Sequence, residues 1–429
     1  MLSCTLPRVI SIVALSLFAA SCSDTASTEA IEASAATEQT LIIDTHIDIP
    51  FRLHRGYVDV SKATDDGDFD YPRAKAGGLN AAFMSIYIPA AIDEAGESVA
   101  LADKLIDDMQ NLASSHPNKF AIATCSADII AQAIRGVIST PLGMENSGPV
   151  ATSDEALDHF YHRGIRYITL SHSKSNALSD SSYDLNEAHG GLSPLGKDMM
   201  VRMNNLGVMV DVSHISDAAF AQVIEISHVP VIASHSSLRH YTPGFRRNMT
   251  DDMMKTLAAA GGVIQINYGS SFISAKARAY ANAASASVIA YKQQNKLAGN
   301  AQELRDYREQ YRIDNPYPFA TMNMVLDHID RAVELGGIDS VGIGSDYDGV
   351  GDSLPIGLKD ASTYGDLMEG LRGRGYSQAD INKIMGGNTL RVWRAIEAYA
   401  EQMGNPTVCA GYASYAALPS ITTPVLSRS

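Results

Sequence analysis

The chain has 429 residues, 45% of them hydrophobic and 19% charged, which is enough apolar material for a large core and excludes a disordered polymer. Thirty-three basic residues against 48 acidic ones give a net charge of −15. A nucleic-acid backbone needs a basic footprint, so the partner expected is a small molecule or peptide. Four cysteines with no Cys-x-x-Cys spacing exclude both a disulfide framework and a thiolate zinc site.

Residues 1–21, MLSCTLPRVISIVALSLFAAS, carry one Arg, no acid and an apolar run ending in small residues, the pattern of a secretory signal. The run abuts Cys22 as a bacterial lipobox does, although Ala19 stands where such a box usually has Leu. The expectation is an exported protein, lipid-anchored through Cys22 on the periplasmic face of a bacterial membrane. Residues 22–40 are mostly Ala, Ser, Thr and Glu and read as a flexible tether. The folded domain is expected over 41–404, with 405–429 as a C-terminal tail. Only Cys125 and Cys409 remain for the fold, and whether they pair is open.

From Leu41 on, eight apolar segments of strand length follow one another: LIIDTHID, NAAFMSIYI, GVISTPLGMEN, RYITLSH, GVMVDVSH, PVIASHS, GVIQINY and SVGIGSDYDG. Helical periodicity separates most of them, as in SVALADKLIDDMQNLASSH and LGKDMMVRMNNLG. Strand alternating with helix predicts a parallel sheet covered on both faces, and eight units predict an α/β protein of the (β/α)8 TIM type. A doubly wound open sheet competes, but no Gly-x-Gly-x-x-Gly follows the first strand. Residues 274–315 are alanine-rich and charged with helical character, an extra helical insertion on the barrel.

The polar residues that close these segments carry the chemistry. His46 and Asp48 are two apart, so on a strand they face one side and can share a centre. His172, His214, His235 and Asp346 end four other segments, and in a barrel the C-terminal strand ends converge on one mouth. Imidazoles and carboxylates without thiolates suit zinc or a similar divalent ion. Two groups of ligands suggest two ions, and a carboxylate is the natural bridge between them. Glu145, at the end of PLGMEN, is available, though Glu155 and other acids lie nearby.

Taken together, DTHIDIP, RYITLSHS, VDVSHIS, ASHSS, RRNMTDDM, VGIGSDYDG and GGNTLRVW resemble the membrane (renal) dipeptidase family of amidohydrolase-like barrels, from about Leu41 to Ala400. The resemblance implies a zinc-dependent dipeptidase with two Zn2+ per chain, acting through a bridging metal-bound hydroxide and tolerating a D-residue at the C-terminal position. It implies His46 and Asp48 on the first zinc, His214 and His235 on the second, and Glu145 across both. It further implies His172 as the contact to substrate and oxyanion, Asp346 as acid/base, and Arg247 as the grip on the substrate carboxylate, with Arg246 one residue away. A homodimer is a family habit. Two departures stand out: Glu145 lies in MENSG rather than a Glu-Gly-Gly context, and Phe272 occupies a place where relatives often have tyrosine. The competing functions are a binuclear hydrolase acting on a lactone or phosphotriester, and a peptide-binding lipoprotein without activity. Relatives of the first kind often bridge their metals with a carbamylated lysine, and no lysine ends a segment here.

Overall fold

The computed structural model describes Met1 and residues 40–299 and 301–409. The remainder of the leader, Cys22, the tether up to residue 39 and the tail beyond Cys409 lie outside the described residues. Among the described residues no helix is long and apolar enough to cross a membrane.

Among the described residues ten strands form one parallel sheet: β1 (Ile42–Ile47), β2 (Leu79–Tyr87), β3 (Phe120–Ala121), β4 (Ile138–Ser139), β5 (Leu142–Glu145), β6 (Ile165–Thr169), β7 (Met209–Asp211), β8 (Ile232–Ser236), β9 (Val263–Ile266) and β10 (Val341–Ile343). Eight of them run in order around a ring, β1-β2-β5-β6-β7-β8-β9-β10. The ring is joined at its C-terminal rim, where Ile47 bridges Tyr347 in parallel, Asp346 N–H donates to the His46 carbonyl at 3.1 Å and Asp48 N–H donates to the Tyr347 carbonyl at 2.9 Å. The buried Asp44 carboxylate ties the same seam. It accepts from Ser345 N–H at 3.0 Å and from the Tyr364 hydroxyl at 2.6 Å. The α/β barrel expected from the alternating pattern is therefore the architecture observed.

One segment departs from expectation. GVISTPLGMEN is not a single strand but β4 and β5 separated by Pro141, which has no N–H to give a ladder. β4 pairs with β2 and with the short β3 outside the ring, and β5 takes the ring position between β2 and β6.

Side chains alternate across the strands, and the apolar ones divide accordingly. Ala81, Phe83, Tyr167, Met209, Ile232 and Val263 form one cluster inside the ring, while their neighbours Ala82, Met84, Ile168, Val210, Ala233 and Ile264 pack outward under the helices. The last of the described helices, α11 (Asn388–Gln402), plugs the N-terminal end of the ring with Leu390, Val392, Trp393 and Ile396. The preceding crossover helices are α1 (Ile49–Arg55), α2 (Ser98–Ser115), α3 (Ser126–Ile134), α4 (Ala156–His162), α5 (Pro194–Leu206), α6 (Asp217–Ile226), α7 (Asp251–Ala259) and α10 (Met322–Gly336), with α8 (Ala275–Gln294) and α9 (Gln302–Asp314) forming the predicted insertion. Several start on a capping hydroxyl: Ser193, Ser216 and Thr250 each accept the N–H three residues on. Gly207 ends α5 at φ 86°, where a side chain would be strained.

Cys125, which caps α3, forms a disulfide with Cys409, their Cα atoms 5.2 Å apart. The start of the tail is thus tied back to the barrel. Thr124 adds a hydrogen bond to the Val408 carbonyl at 3.0 Å.

Candidate metal centre and active site

The residues singled out at the strand ends meet at one mouth. They line a cavity of about 570 Å³ that holds Asp48, Glu145, His172, His214, His235 and Asp346, together with Tyr87, Tyr183 and Phe272. His46 is fully buried directly behind them.

Glu145, the last residue of β5, is the hub. Its Oε1 lies 3.1 Å from Nε2 of both His214 and His235 and 3.6 Å from Nε2 of His172, while Oε2 lies 3.6 Å from His46 Nε2. Ser85 donates to Oε2 at 3.3 Å. His214 and His235 point their Nε2 atoms at each other, 2.8 Å apart, and His46 Nε2 is 3.5 Å from Asp48 Oδ2. Glu155, the rival acid, is exposed at the start of α4, away from this lining.

The backbone that delivers these groups is irregular. His46 and Asp48 do converge, but not as alternate residues of a regular strand. The β1 ladder slips between Asp44 and Ile47, and Asp48 has already left the strand as the residue preceding α1. β8 slips likewise between Ala233 and Ser236, around His235. Such bulges re-aim side chains at barrel rims. His214, Asp346, Asn146 and Asp348 all adopt positive φ, between 63° and 82°. Left-handed backbone at non-glycine residues is costly, and its concentration around one cavity marks a functional site.

A supporting layer orients the ligand candidates, and its members lie inside the segments RYITLSH, GVMVDVSH and PVIASHS. The Tyr167 hydroxyl lies 2.8 Å from His46 Nδ1, and Ser234 Oγ lies 2.8 Å from His235 Nδ1, so each ring turns Nε2 inward. Ser234 in turn donates to Asp211 at 2.6 Å, a fully buried carboxylate that also accepts from Thr169 and from the Ser213 and Ser234 N–H groups. Asp211 sits in the segment VDVSH, and an acid inside an apolar strand is the one signal of it that the sequence carries. The rings continue downward as a column: His46 to Tyr167, Tyr167 to Phe83 and Phe83 to Trp393, with centroid spacings of 6.5, 5.4 and 5.2 Å. The site thus rests on the barrel plug.

The electrostatics follow from burial among like and unlike charges. Burial alone would raise the Glu145 carboxyl, but the imidazoles of His172, His46, His214 and His235 outweigh it and hold it well below the usual carboxylate range. Burial pushes His172, His214 and His235 down, the last two well below an ordinary imidazole, with Arg247 adding to the effect on all three. His46 goes the other way: against burial, Tyr167, Glu145 and Asp48 hold its proton well above the usual range. Asp346 is pushed well above the normal carboxyl range by burial, with Asp48 and Glu145 adding and His46 opposing.

At this mouth, among the described residues, three sets of ligand atoms lie within 4.8 Å of one another: His46, Glu145 and His235; Glu145, His172 and His214; and His46, Asp48 and Asp346. These groupings cut across the division of ligands implied by the resemblance, because His235 stands close to both His46 and His214. Glu145 belongs to two of the three sets. The residues present suit a divalent cation on a physical test: among the described residues His46 Nε2 is buried without a hydrogen-bond partner, and two imidazoles of depressed proton affinity turn their Nε2 atoms into one acidic space.

Arg247 is 3% exposed and lies behind His235. Its Nη1 donates to Ser236 Oγ and its Nη2 to the His235 carbonyl, both at 2.7 Å, while its Nε has no partner among the described residues. Arg246 is on the surface, paired with Glu187. Phe272 lies 5.5 Å from the Arg247 guanidinium.

A barrel whose rim gathers imidazoles and carboxylates of this kind defines a metal-dependent hydrolase. The family described as membrane dipeptidase (peptidase family M19) matches residues 31–407, and the chain belongs to that family, the metallo-dipeptidases. Among its relatives are an uncharacterised dipeptidase of Schizosaccharomyces pombe, 28% identical over 85% of this chain and 83% of that protein, and the dipeptidase VerJ of Clonostachys rogersoniana, 29% identical over 84% and 86%. The fold matches the probable dipeptidase PvdM from Pseudomonas aeruginosa with a TM-score of 0.72 at 27% identity, over 86% of this chain and 98% of the other. It also matches a metallopeptidase of Rhodobacter sphaeroides liganded with a phosphinate mimic of the dipeptide L-Ala-D-Ala, with a TM-score of 0.68 at 22% identity over 83% and 100%.

Proposed function

We propose that the chain hydrolyses the peptide bond of dipeptides, L,D as well as L,L, with two zinc ions held by His46, Asp48, Glu145, His214 and His235. The observation that carries the reading is Glu145, one carboxylate facing four imidazoles at the mouth of the barrel. When bound, the ions would supply a water acidified toward neutrality and a polarised substrate carbonyl.

The side chains supply the rest. Asp346 accepts from Asn267 Nδ2 at 2.7 Å through Oδ2. Its Oδ1 is then the atom that takes the proton of the attacking water and returns it to the leaving amine. His172, more open to the cavity than the other three imidazoles, with 19% of its side chain exposed, donates a hydrogen bond to the oxyanion as it forms. Arg247 supplies the buried positive charge that draws the substrate's terminal carboxylate inward.

The test is a panel of L,L- and L,D-dipeptides with a lactone as control, assayed on purified protein as isolated, after chelation and after zinc is restored. Dipeptide turnover that vanishes on chelation and returns with two zinc ions per chain is expected. Turnover of the lactone alone overturns the reading.

We further propose that the protein is exported and lipid-anchored through Cys22. The leader and lipobox pattern support it, and the Cys125–Cys409 disulfide fits an oxidising compartment. In its native host the protein is expected in the membrane fraction, and Cys22→Ala in the soluble one. A wild-type protein that fractionates as soluble contradicts the anchor.

A further inference from the structure

Helix α1 begins directly after Asp48 and is fixed in the core by Ile49, Pro50 and Leu53. On its other side Phe51 and Arg55, four residues apart and so on one face, look onto the cavity. Phe51 packs edge-on against Tyr87, ring centroids 5.0 Å apart, which holds that face in place.

Arg55 is the only Arg or Lys that lines the catalytic cavity among the described residues, where the acids are Asp48, Glu145, Asp346 and Asp348. Asp48 and Glu145 belong to the proposed metal centre, and Asp346 is its proposed acid/base. Asp348 is paired with Arg52, which is further held by the Phe69 and Asp66 carbonyls at 3.0 and 2.7 Å. Arg55 itself has no carboxylate within salt-bridge distance among the described residues. It also lines a second cavity of about 560 Å³, bounded by Tyr57, Val58 and Gly67, that adjoins the first. A cation with no counter-anion therefore stands where the catalytic cavity opens into further space. Arg247, by contrast, is fully buried and commits two N–H groups to Ser236 and His235.

We propose that Arg55 is a specificity-determining residue that receives a substrate carboxylate, the acidic side chain of an Asp- or Glu-containing dipeptide lodged between the two cavities. This rests on the dipeptidase reading above. A guanidinium offers paired donors matched to a carboxylate, and an acidic substrate would neutralise it. A basic residue in the last turn of a helix also favours the helix dipole, but that role acts on stability and is indifferent to the substrate.

The test compares the zinc-loaded wild type with Arg55→Gln and Arg55→Lys on L-Ala-L-Ala, L-Ala-L-Asp, L-Asp-L-Ala and L-Ala-L-alaninamide. For Arg55→Gln, kcat/KM on at least one acidic dipeptide is expected to fall roughly tenfold, more through KM than kcat, as for a lost charge-assisted hydrogen bond. L-Ala-L-Ala is expected to change less than twofold, and Arg55→Lys to recover part of the loss. A loss equal on L-Ala-L-Ala and the acidic dipeptides, yet absent on the amide, moves the contact to the terminal carboxylate and overturns the side-chain assignment. No change on any substrate, or one equal loss on all including the amide, overturns a carboxylate role altogether. A wild type that cleaves no dipeptide instead removes the dipeptidase reading, and this proposal with it.

Discussion

Replacing Glu145 with Gln is expected to lower kcat/KM on any dipeptide by more than about a hundredfold and to leave purified protein short of at least one metal ion. Losing a partner that merely orients a metal ligand typically costs about ten- to a hundredfold, and losing the carboxylate proposed to face both ions should cost more. Gln preserves the shape of the side chain but removes the charge that offsets four imidazoles within 3.6 Å. Elemental analysis and steady-state kinetics check the outcome, with circular dichroism to confirm the fold. A variant that keeps two metals and a tenth of its activity would show that Glu145 is a structural acid.

The second large effect is expected at Gly349, in the turn after β10. A Cβ there would stand 2.1 Å from Asp48 Oδ2 and 2.2 Å from Asp346 Oδ1, closer than real contacts allow. Gly349→Ala must therefore displace two carboxylates of the site at once, in a turn already strained by positive φ at Asp346 and Asp348. Misplacing reacting groups by about 1 Å costs on the order of a hundredfold in rate, and that loss is expected in kcat/KM. The turn is exposed at residue 349, so thermal stability should shift by no more than a few degrees. Unaltered kinetics would mean that neither Asp48 nor Asp346 needs the position observed.

Much of the site is legible in the sequence because strand ends have a visible grammar. Apolar runs closing on His46, Glu145, His172, His214, His235 and Asp346 point to one rim once a parallel barrel is inferred, and all six meet there. His46 and Asp48 are neighbours as expected, but for a different reason. Period-two alternation assumes a regular strand, whereas the pairing slips after Asp44 and Asp48 lies past the strand end. Pro141 divides a segment that hydropathy alone reads as continuous.

Residue order by itself determined the alternation of strand and helix, the helical insertion and the identity of the imidazoles and carboxylates gathered at the rim, since each depends on local periodicity or side-chain type. Tertiary structure alone decided which orienting groups stand behind them. Tyr167 reaches His46 from β6, across the ring from β1, and Asp211 reaches Ser234, the residue before His235, from the adjacent β7, placements that no local pattern encodes. The same holds for the seam joining β1 to β10 and for the pairing of Cys125 with Cys409 across a separation of 284 residues. Contacts between distant segments are set by how the whole ring packs, and that information is spread over the entire chain.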